Sequence, residues 1–100
     1  MTREELIEEL IRLWDSPESN DGELVRCWQK IFSSMGIRVR MRVYKRGERK
    51  LVDFDEAYPA GVLEMVCDCF EEAGFYLNNK RLRHLLGDLL LDLFRRYSIN

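Results

Sequence analysis

The sequence predicts an α+β fold with four helices and one antiparallel β-hairpin, in the order ααββαα. Apolar residues recur at helical spacing in four separate segments. Between the second and third segments, the apolar period falls from about 3.6 residues to about 2, which is typical of half-buried strands. The chain has 100 residues, of which 46% are hydrophobic, and this suffices for one ordinary core. We therefore expect residues 1–100 to form a single small domain.

The first two helices are marked by residues that cap helix ends. Thr2 and Glu5 have the spacing of a capping box, and the proline that follows Ser16 predicts a helix end near Asp15. Asp21 is predicted to cap the second helix, and Gly36 to end it in the left-handed conformation. The predicted core residues are Leu6, Ile7, Leu10, Ile11 and Trp14 in the first helix and Leu24, Val25, Trp28, Ile31, Phe32 and Met35 in the second.

Residues 37–44 and 50–54 are predicted to form the hairpin, with a tight turn at Arg46 and Gly47. Apolar residues alternate along the first strand with basic or aromatic ones. The apolar set is Ile37, Val39, Met41 and Val43, and the opposite set is Arg38, Arg40, Arg42 and Tyr44. A lone two-stranded hairpin is only marginally stable in water. It must therefore pack on the helices, pair with a second copy of the chain, or do both.

The register of the hairpin follows from its apolar face. We predict that Val39 faces Phe54 and that Met41 faces Val52, because this pairing keeps one face apolar throughout. A shift of one residue would turn an aspartate toward the core. These four residues are expected to be buried, and the three arginines of the first strand to be exposed.

The third helix is predicted to begin between Asp55 and Pro59 and to end at Gly74, and the last helix to begin after Asn78 or Asn79. The third helix should bury Val62, Met65, Val66, Cys69, Phe70 and Ala73, with Phe75 and Tyr76 folded back on its last turn. The last helix carries the apolar residues Leu82, Leu85, Leu86, Leu89, Leu90, Leu93, Phe94 and Tyr97.

The apolar residues of the last helix cover about half of its circumference, which is wider than an ordinary surface stripe. We therefore predict that Leu90, Leu91 and Phe94 contact a second copy of the chain. Gly87 lies inside this helix, where glycine is unfavourable, and it predicts a close approach by the backbone of another element.

Charge is strongly segregated along the chain. Residues 37–50 contain seven basic residues and one acidic residue, whereas residues 1–36 and 51–100 each carry a net charge of −4. In the predicted register, Arg40 lies opposite Asp53, and the other two arginines of the strand have no acidic partner within the hairpin. The predicted partner-binding residues are Arg38, Arg40, Arg42 and Tyr44 along the strand, with Arg46 and Arg49 at its tip.

Three interpretations of this basic row stay open. Charges on an edge strand discourage aggregation, and the arginines can pair with the chain's own acids. Guanidinium groups also match phosphate oxygens, and a tyrosine can stack on a base, which suits nucleic acid. The row equally suits an acidic protein surface, and the acidic balance of both flanking segments favours a protein.

The sequence therefore predicts a small, non-enzymatic binding or regulatory protein. We expect it to act stoichiometrically on an acidic macromolecular partner, through the basic hairpin and, as a second surface, the last helix. A nucleic-acid-binding regulator that uses the same arginines on phosphates is the alternative. Small size and a patchwork of charge resemble small inhibitor proteins in general character, without a matching motif.

No catalytic or metal-binding pattern is recognisable in the sequence. Cys67 and Cys69 are two residues apart, so on a helix they point in nearly opposite directions and cannot share one metal ion. His84, the single histidine, falls on the polar side of the last helix. We predict no enzyme activity, no cofactor and no metal, with structural cysteines and an exposed histidine.

The cysteines also bear on the compartment. The chain has three, an odd number, and they lie within apolar helical patterns rather than in loops, which favours a reducing compartment. The N-terminal residues lack a signal-peptide core, and no apolar run approaches the roughly 18 residues of a membrane span. We therefore expect a cytoplasmic protein without membrane contact.

Overall fold

The computed structural model describes residues 2–16, 18, 20–47, 49–72 and 80–97 of the chain. Over these residues the elements follow the predicted order ααββαα, so the α+β prediction is confirmed. The elements are α1 (Arg3–Asp15), α2 (Asp21–Ser34), β1 (Arg38–Arg46), β2 (Arg49–Tyr58), α3 (Val62–Glu72) and α4 (Lys80–Tyr97).

The ends of α1 and α2 are fixed by local hydrogen bonds. Thr2 and Glu5 form the predicted capping box, in which each backbone N–H donates to the other's side chain at 3.2 Å. The cap of α2 is Asn20, whose side-chain oxygen accepts a hydrogen bond from the Glu23 backbone at 2.7 Å. Our choice of Asp21 was one residue too late, because Asp21 already lies within the helix.

Gly36 ends α2 in the way the sequence predicts. Its φ angle is +76°, which suits glycine, and its N–H donates to the Ser33 carbonyl at 3.0 Å. The Ile37 N–H donates to the Phe32 carbonyl at 2.9 Å, which completes a Schellman motif. The chain therefore passes from the end of α2 at Ser34 to the start of β1 at Arg38 over three residues.

The hairpin lies with its inner face on α2 and α3, and an aromatic cluster joins these elements. Phe54 of β2 packs edge-on against Phe70 of α3, with ring centroids 4.9 Å apart. Trp28 of α2 lies 5.1 Å from Phe70 and stacks on Phe32 at 5.9 Å. Trp14 brings α1 into the same core, 6.4 Å from Trp28. The predicted core role of both tryptophans is confirmed.

The observed register differs from the predicted one by two residues. Met41 pairs with Phe54 and Val43 with Val52, so the predicted pairing of Val39 with Phe54 was wrong. Arg46 pairs with Arg49, so Gly47, with φ +67°, follows the last paired residue of β1. The turn therefore lies one residue later than we predicted. Moving the turn of an antiparallel hairpin by one residue along the chain shifts the partner of every residue by two positions.

A shift of two residues keeps every side chain on its predicted face, because side chains alternate with a period of two. Val39, Met41, Val52 and Phe54 are all buried, with at most 9% of each exposed. Arg38, Arg40 and Arg42 of β1 are exposed. The predicted burial pattern is therefore confirmed although the pairing was wrong.

The strand β2 continues through residues 55–58, where we predicted the start of the third helix. The pairing shifts between Arg40 and Met41, so that Asp55 is an extra residue in β2 and Glu56 pairs with Arg40. This β-bulge lets the strand continue to Tyr58, and α3 begins only at Val62.

Among the α4 side chains that the structure describes, those of Leu86, Leu90 and Leu93 are buried. Apart from the neighbouring residues and backbone of α4 itself, no described heavy atom lies within 4 Å of the position that a Cβ would take at Gly87. None of the described elements therefore makes the close approach that the sequence predicts at this glycine. Of the described helices, none is long and apolar enough to cross a membrane.

Several predicted features lie outside the described residues. These are Ala73, Gly74, Phe75, Tyr76, the caps Asn78 and Asn79, and the side chains of Leu82, Leu85, Phe94 and Tyr97.

Candidate binding face of the hairpin

The side of the hairpin that points away from the helices carries the candidate site. We call it the outer face; its residues are Arg38, Arg40, Arg42 and Tyr44 of β1 and Leu51, Asp53, Glu56 and Tyr58 of β2. All of these side chains are exposed or half-buried, whereas the side chains between them along β1 are buried. Alternation along the two strands thus separates the candidate site from the core.

Arg42 is held by two neighbours on this face. Its Nε and Nη2 atoms donate hydrogen bonds to Oδ2 of Asp53 at 3.1 and 2.9 Å. Its guanidinium carbon also lies 5.4 Å from the ring centroid of Tyr44, within cation–π range. The hydrogen bonds and charge of Asp53 raise the pKa of Arg42 above its ordinary value.

The other two arginines have different partners. Nη2 of Arg40 donates to Oε1 of Glu56 at 3.3 Å. The guanidinium of Arg38 lies 5.7 Å from the ring centroid of Tyr58. We expected Asp53 to face Arg40. We also expected that Arg42 would have no acidic partner in the hairpin. Both expectations were wrong, because they followed from the incorrect register.

Tyr58 is a member of the outer face that the sequence analysis missed, since it was assigned to the start of a helix. It is 66% exposed, and Tyr44 is 39% exposed. A signal for Tyr58 was present: the residue before a proline favours extended backbone angles, and Pro59 follows it.

The outer face has one basic and one acidic side. Arg38, Arg40 and Arg42 line β1, and Asp53 and Glu56 lie beside them on β2. In the exposed pairs that these residues form, both arginine side chains are 68% accessible to solvent. The face is therefore mixed in charge, with its positive side along β1.

Lys50 belongs to the core side of the hairpin rather than to the outer face. Its Nζ donates to the backbone carbonyls of Trp14 at 2.9 Å and Ser16 at 3.3 Å. A cation beside the final carbonyls of a helix is favourable, since those carbonyls lack partners within the helix. Burial, and secondly Lys45, lower the pKa of Lys50. One of the seven basic residues therefore ties β2 to the end of α1.

The tip of the hairpin is described only in its backbone. Arg46 and Arg49 pair with each other across the strands, and their side chains lie outside the described residues. Their predicted contact with a partner stays a prediction.

The residues considered for other chemistry lie away from this face. Burial raises the pKa of the Cys27 thiol to about 11, and its Sγ donates to the Leu6 carbonyl at 3.6 Å. Cys69 is buried, Cys67 is half-buried and His84 is exposed. Among the described residues, no group of three or more His, Cys, Asp or Glu side chains could hold a metal ion.

On the last helix, the three residues predicted to contact a second copy have different environments. Leu90 is fully buried in the core of its own chain, so it cannot be part of a surface between copies. Leu91 is 44% exposed, and the side chain of Phe94 lies outside the described residues. Leu91 is thus the described residue on which a contact through α4 depends.

No protein-family model, no curated protein sequence and no solved structure matches this chain.

Proposed function

We propose that this is a small, non-enzymatic binding or regulatory protein that acts stoichiometrically on an acidic protein partner through the outer face of its hairpin. The observation that carries the proposal is the exposure of three arginines and two tyrosines on one face of a sheet. Arginine and tyrosine are enriched in protein interfaces and among the residues that dominate binding energy.

Stability alone is a weak reason for the arginine row. Exposed ion pairs contribute little to folding, because solvent screens them and ordering two long side chains costs entropy. The arginine Arg38 contacts an aromatic ring, and no described carboxylate forms a salt bridge with it. A partner that removes water from these guanidinium groups would interact with them far more strongly than solvent-exposed acids do.

The acidic side of the outer face favours a protein over nucleic acid. Asp53 and Glu56 lie within 3.3 Å of the arginine nitrogens, so a phosphate chain laid along β1 would pass close to two carboxylates. A protein surface can present acids to the arginines and basic or apolar groups to β2. The mixed charge of the face suits such a partner.

A nucleic-acid-binding regulator is the second candidate. Two exposed tyrosines beside arginines could stack on unpaired bases while the guanidinium groups bind phosphate. The two candidates differ in salt dependence, because phosphate contacts release counterions and give a steep decrease of affinity with salt.

The test uses defined probes: a displayed library of random peptides, a single-stranded oligonucleotide and a duplex. The binding variant changes Arg38, Arg40 and Arg42 to glutamine. A matched control changes Arg26, Lys30 and Arg95 to glutamine, which removes the same charge from exposed helix positions. We expect the unmodified chain to enrich acidic peptides from the library. The binding variant should bind these peptides about tenfold or more weakly than the unmodified chain does.

The control variant should keep the affinity of the unmodified chain. If the binding variant folds and binds the selected peptides as tightly as the control, the hairpin is not the interface. Tight, salt-sensitive binding of an oligonucleotide without selection of acidic peptides would favour the second candidate.

A further inference from the structure

The sheet consists of two strands, so β1 and β2 each have an edge without a neighbouring strand among the described residues. An unpaired strand edge presents backbone N–H and C=O groups that can accept another extended chain. The two edges of this hairpin differ in how well they could do so.

The edge of β1 is the better template. The bulge at Asp55 places an extra residue in β2, and a bulge bends a strand and disturbs its pairing. The strand β1 has no extra residue over its nine positions. Near its start, the Gln29 side chain of α2 donates to the Val39 carbonyl at 3.3 Å, so this position already has a partner from outside the hairpin. Residues 40–45 are the stretch left for an added strand.

The side chains of β1 define what a neighbouring strand should contain. Arg40 and Arg42 point to the outer face, and Met41 and Val43 point to the core. Directly paired residues on adjacent strands interact, and opposite charges there are favourable. An added strand should therefore alternate acidic residues on the outer side with apolar residues on the inner side.

The arginines keep donors for such a strand. Arg42 uses Nε and Nη2 on Asp53, and Arg40 uses Nη2 on Glu56. A guanidinium group has five N–H donors, so each arginine can bind a carboxylate on β2 and another on an added strand. The basic row would then lie between two acidic rows.

A second copy of the chain fits this edge poorly. When two β1 strands pair antiparallel with their outer faces on the same side, the described outer side chains that meet come from Arg38, Arg40, Arg42 and Tyr44, and like charges opposite each other are unfavourable. Two copies could also stack through their outer faces, but the area of this face is too small for a stable dimer. Two strands of this length cover roughly 300 Å², against about 800 Å² per partner in a standard interface.

We infer that the partner contributes an extended segment of alternating acidic and apolar residues, which adds to the free edge of β1 as a third strand. This inference rests on the function proposed above and names its ligand class. Backbone hydrogen bonds supply affinity in such strand addition, which compensates for the small area of the face.

The probe is a capped peptide of four Glu-Val repeats, and its affinity is measured by calorimetry. A peptide of the same composition with grouped rather than alternating residues serves as a control, as does a Lys-Val repeat. We expect the Glu-Val repeat to bind at least about tenfold more tightly than either control. No preference for the alternating peptide would overturn the inference.

Single backbone N-methyl groups, placed at each peptide position in turn, test strand addition directly. In an added strand, alternate N–H groups point to β1 and the others point to solvent. We expect affinity to fall by about tenfold or more at every second position and to change little between them. Uniform loss, or no loss at any position, would overturn the strand geometry. If acidic library peptides still depended on the arginines, the proposed function would stand without it.

Discussion

Arg42 shows how an exposed side chain can be ordered without being buried. One carboxylate accepts two of its hydrogen bonds and one aromatic ring lies beside its guanidinium plane. Both partners come from the same face of the hairpin, so the orientation of the group exists before any ligand arrives. Such preorganisation reduces the entropy that binding would otherwise cost.

Phe54 is expected to be among the most sensitive core residues. It is buried and contacts Phe32 and Phe70, with centroid distances of 5.6 and 4.9 Å. Phe54→Ala should lower the free energy of unfolding by about 3–5 kcal/mol, because it leaves a cavity where strand and helix meet. Leu51→Ala, on the outer face of the same strand, is the control. If urea unfolding shows that Phe54→Ala lowers the free energy of unfolding by less than about 1 kcal/mol, this packing is contradicted.

Cys27 predicts a dependence of stability on alkaline pH. Its thiol has a pKa of about 11 in the folded chain, against an ordinary value of 9.0, because burial disfavours the thiolate. The unfolded chain therefore loses this proton first, and stability should fall between pH 9 and 11. The loss is at most about 2–3 kcal/mol. Cys27→Ser, which has no thiol to ionise, should show a shallower decrease in urea unfolding across this range; equal slopes would contradict the assignment.

At the scale of elements, the hairpin is positioned from both ends. The Schellman motif at Gly36 directs the chain from α2 into β1. At the start of β2, Lys50 donates to the carbonyl of Trp14 in the last turn of α1 and to that of Ser16, which follows the helix. Between these points the aromatic cluster fixes the inner face on α2 and α3, and this leaves the outer face to solvent.

Lys50→Ala tests the link between the hairpin and α1. We expect the free energy of unfolding to fall by about 1–2 kcal/mol, since two backbone carbonyls lose a charged donor. Lys45→Ala is the matched control, because Lys45 pairs with Lys50 across the strands but is exposed. Equal effects of the two changes in thermal or urea unfolding would show that the Lys50 contacts do not stabilise the fold.

Gly87→Ala should stabilise α4. Glycine inside a helix is unfavourable, and the space at Gly87 admits a methyl group without contact to the described residues. We expect a gain of about 0.4–1 kcal/mol in urea unfolding. Gly61→Ala is the opposite control: its φ angle of +89° strains any other residue, so stability should fall. A destabilised Gly87→Ala variant would show that another part of the molecule occupies that space.

At the scale of the whole molecule, charge and packing are divided between the two sides of the hairpin. The inner side joins α2 and α3 in one core, and α1 reaches that core through Trp14. The outer side carries the arginines, the acids that pair with them and the exposed tyrosines. A ligand on the outer face could therefore bind without rearranging the core.

Self-association through the last helix stays a prediction. Of the three residues predicted to contact a second copy, Leu91 is the one whose side chain is both described and exposed. Any dimer of this kind should dissociate in Leu91→Ser, because removing the apolar side chain weakens the surface on α4. Arg40→Gln should leave it unchanged, since like charges disfavour pairing through β1. Sedimentation at high micromolar concentration measures both variants. A monomeric unmodified chain would contradict self-association altogether.

The sequence by itself determined what depends on local periodicity and capping. The four helices, the switch to strand alternation after Gly36 and the burial of Val39, Met41, Val52 and Phe54 follow from side-chain direction, which repeats with a fixed period in each type of element. The exposed arginine row was predictable for the same reason. Only the tertiary structure decided which arginine meets which acid, because the turn at Gly47 sets the register. It also decided where β2 ends, because pairing with β1 holds Asp55, Glu56 and Ala57 in a strand, although these residue types are depleted in strands.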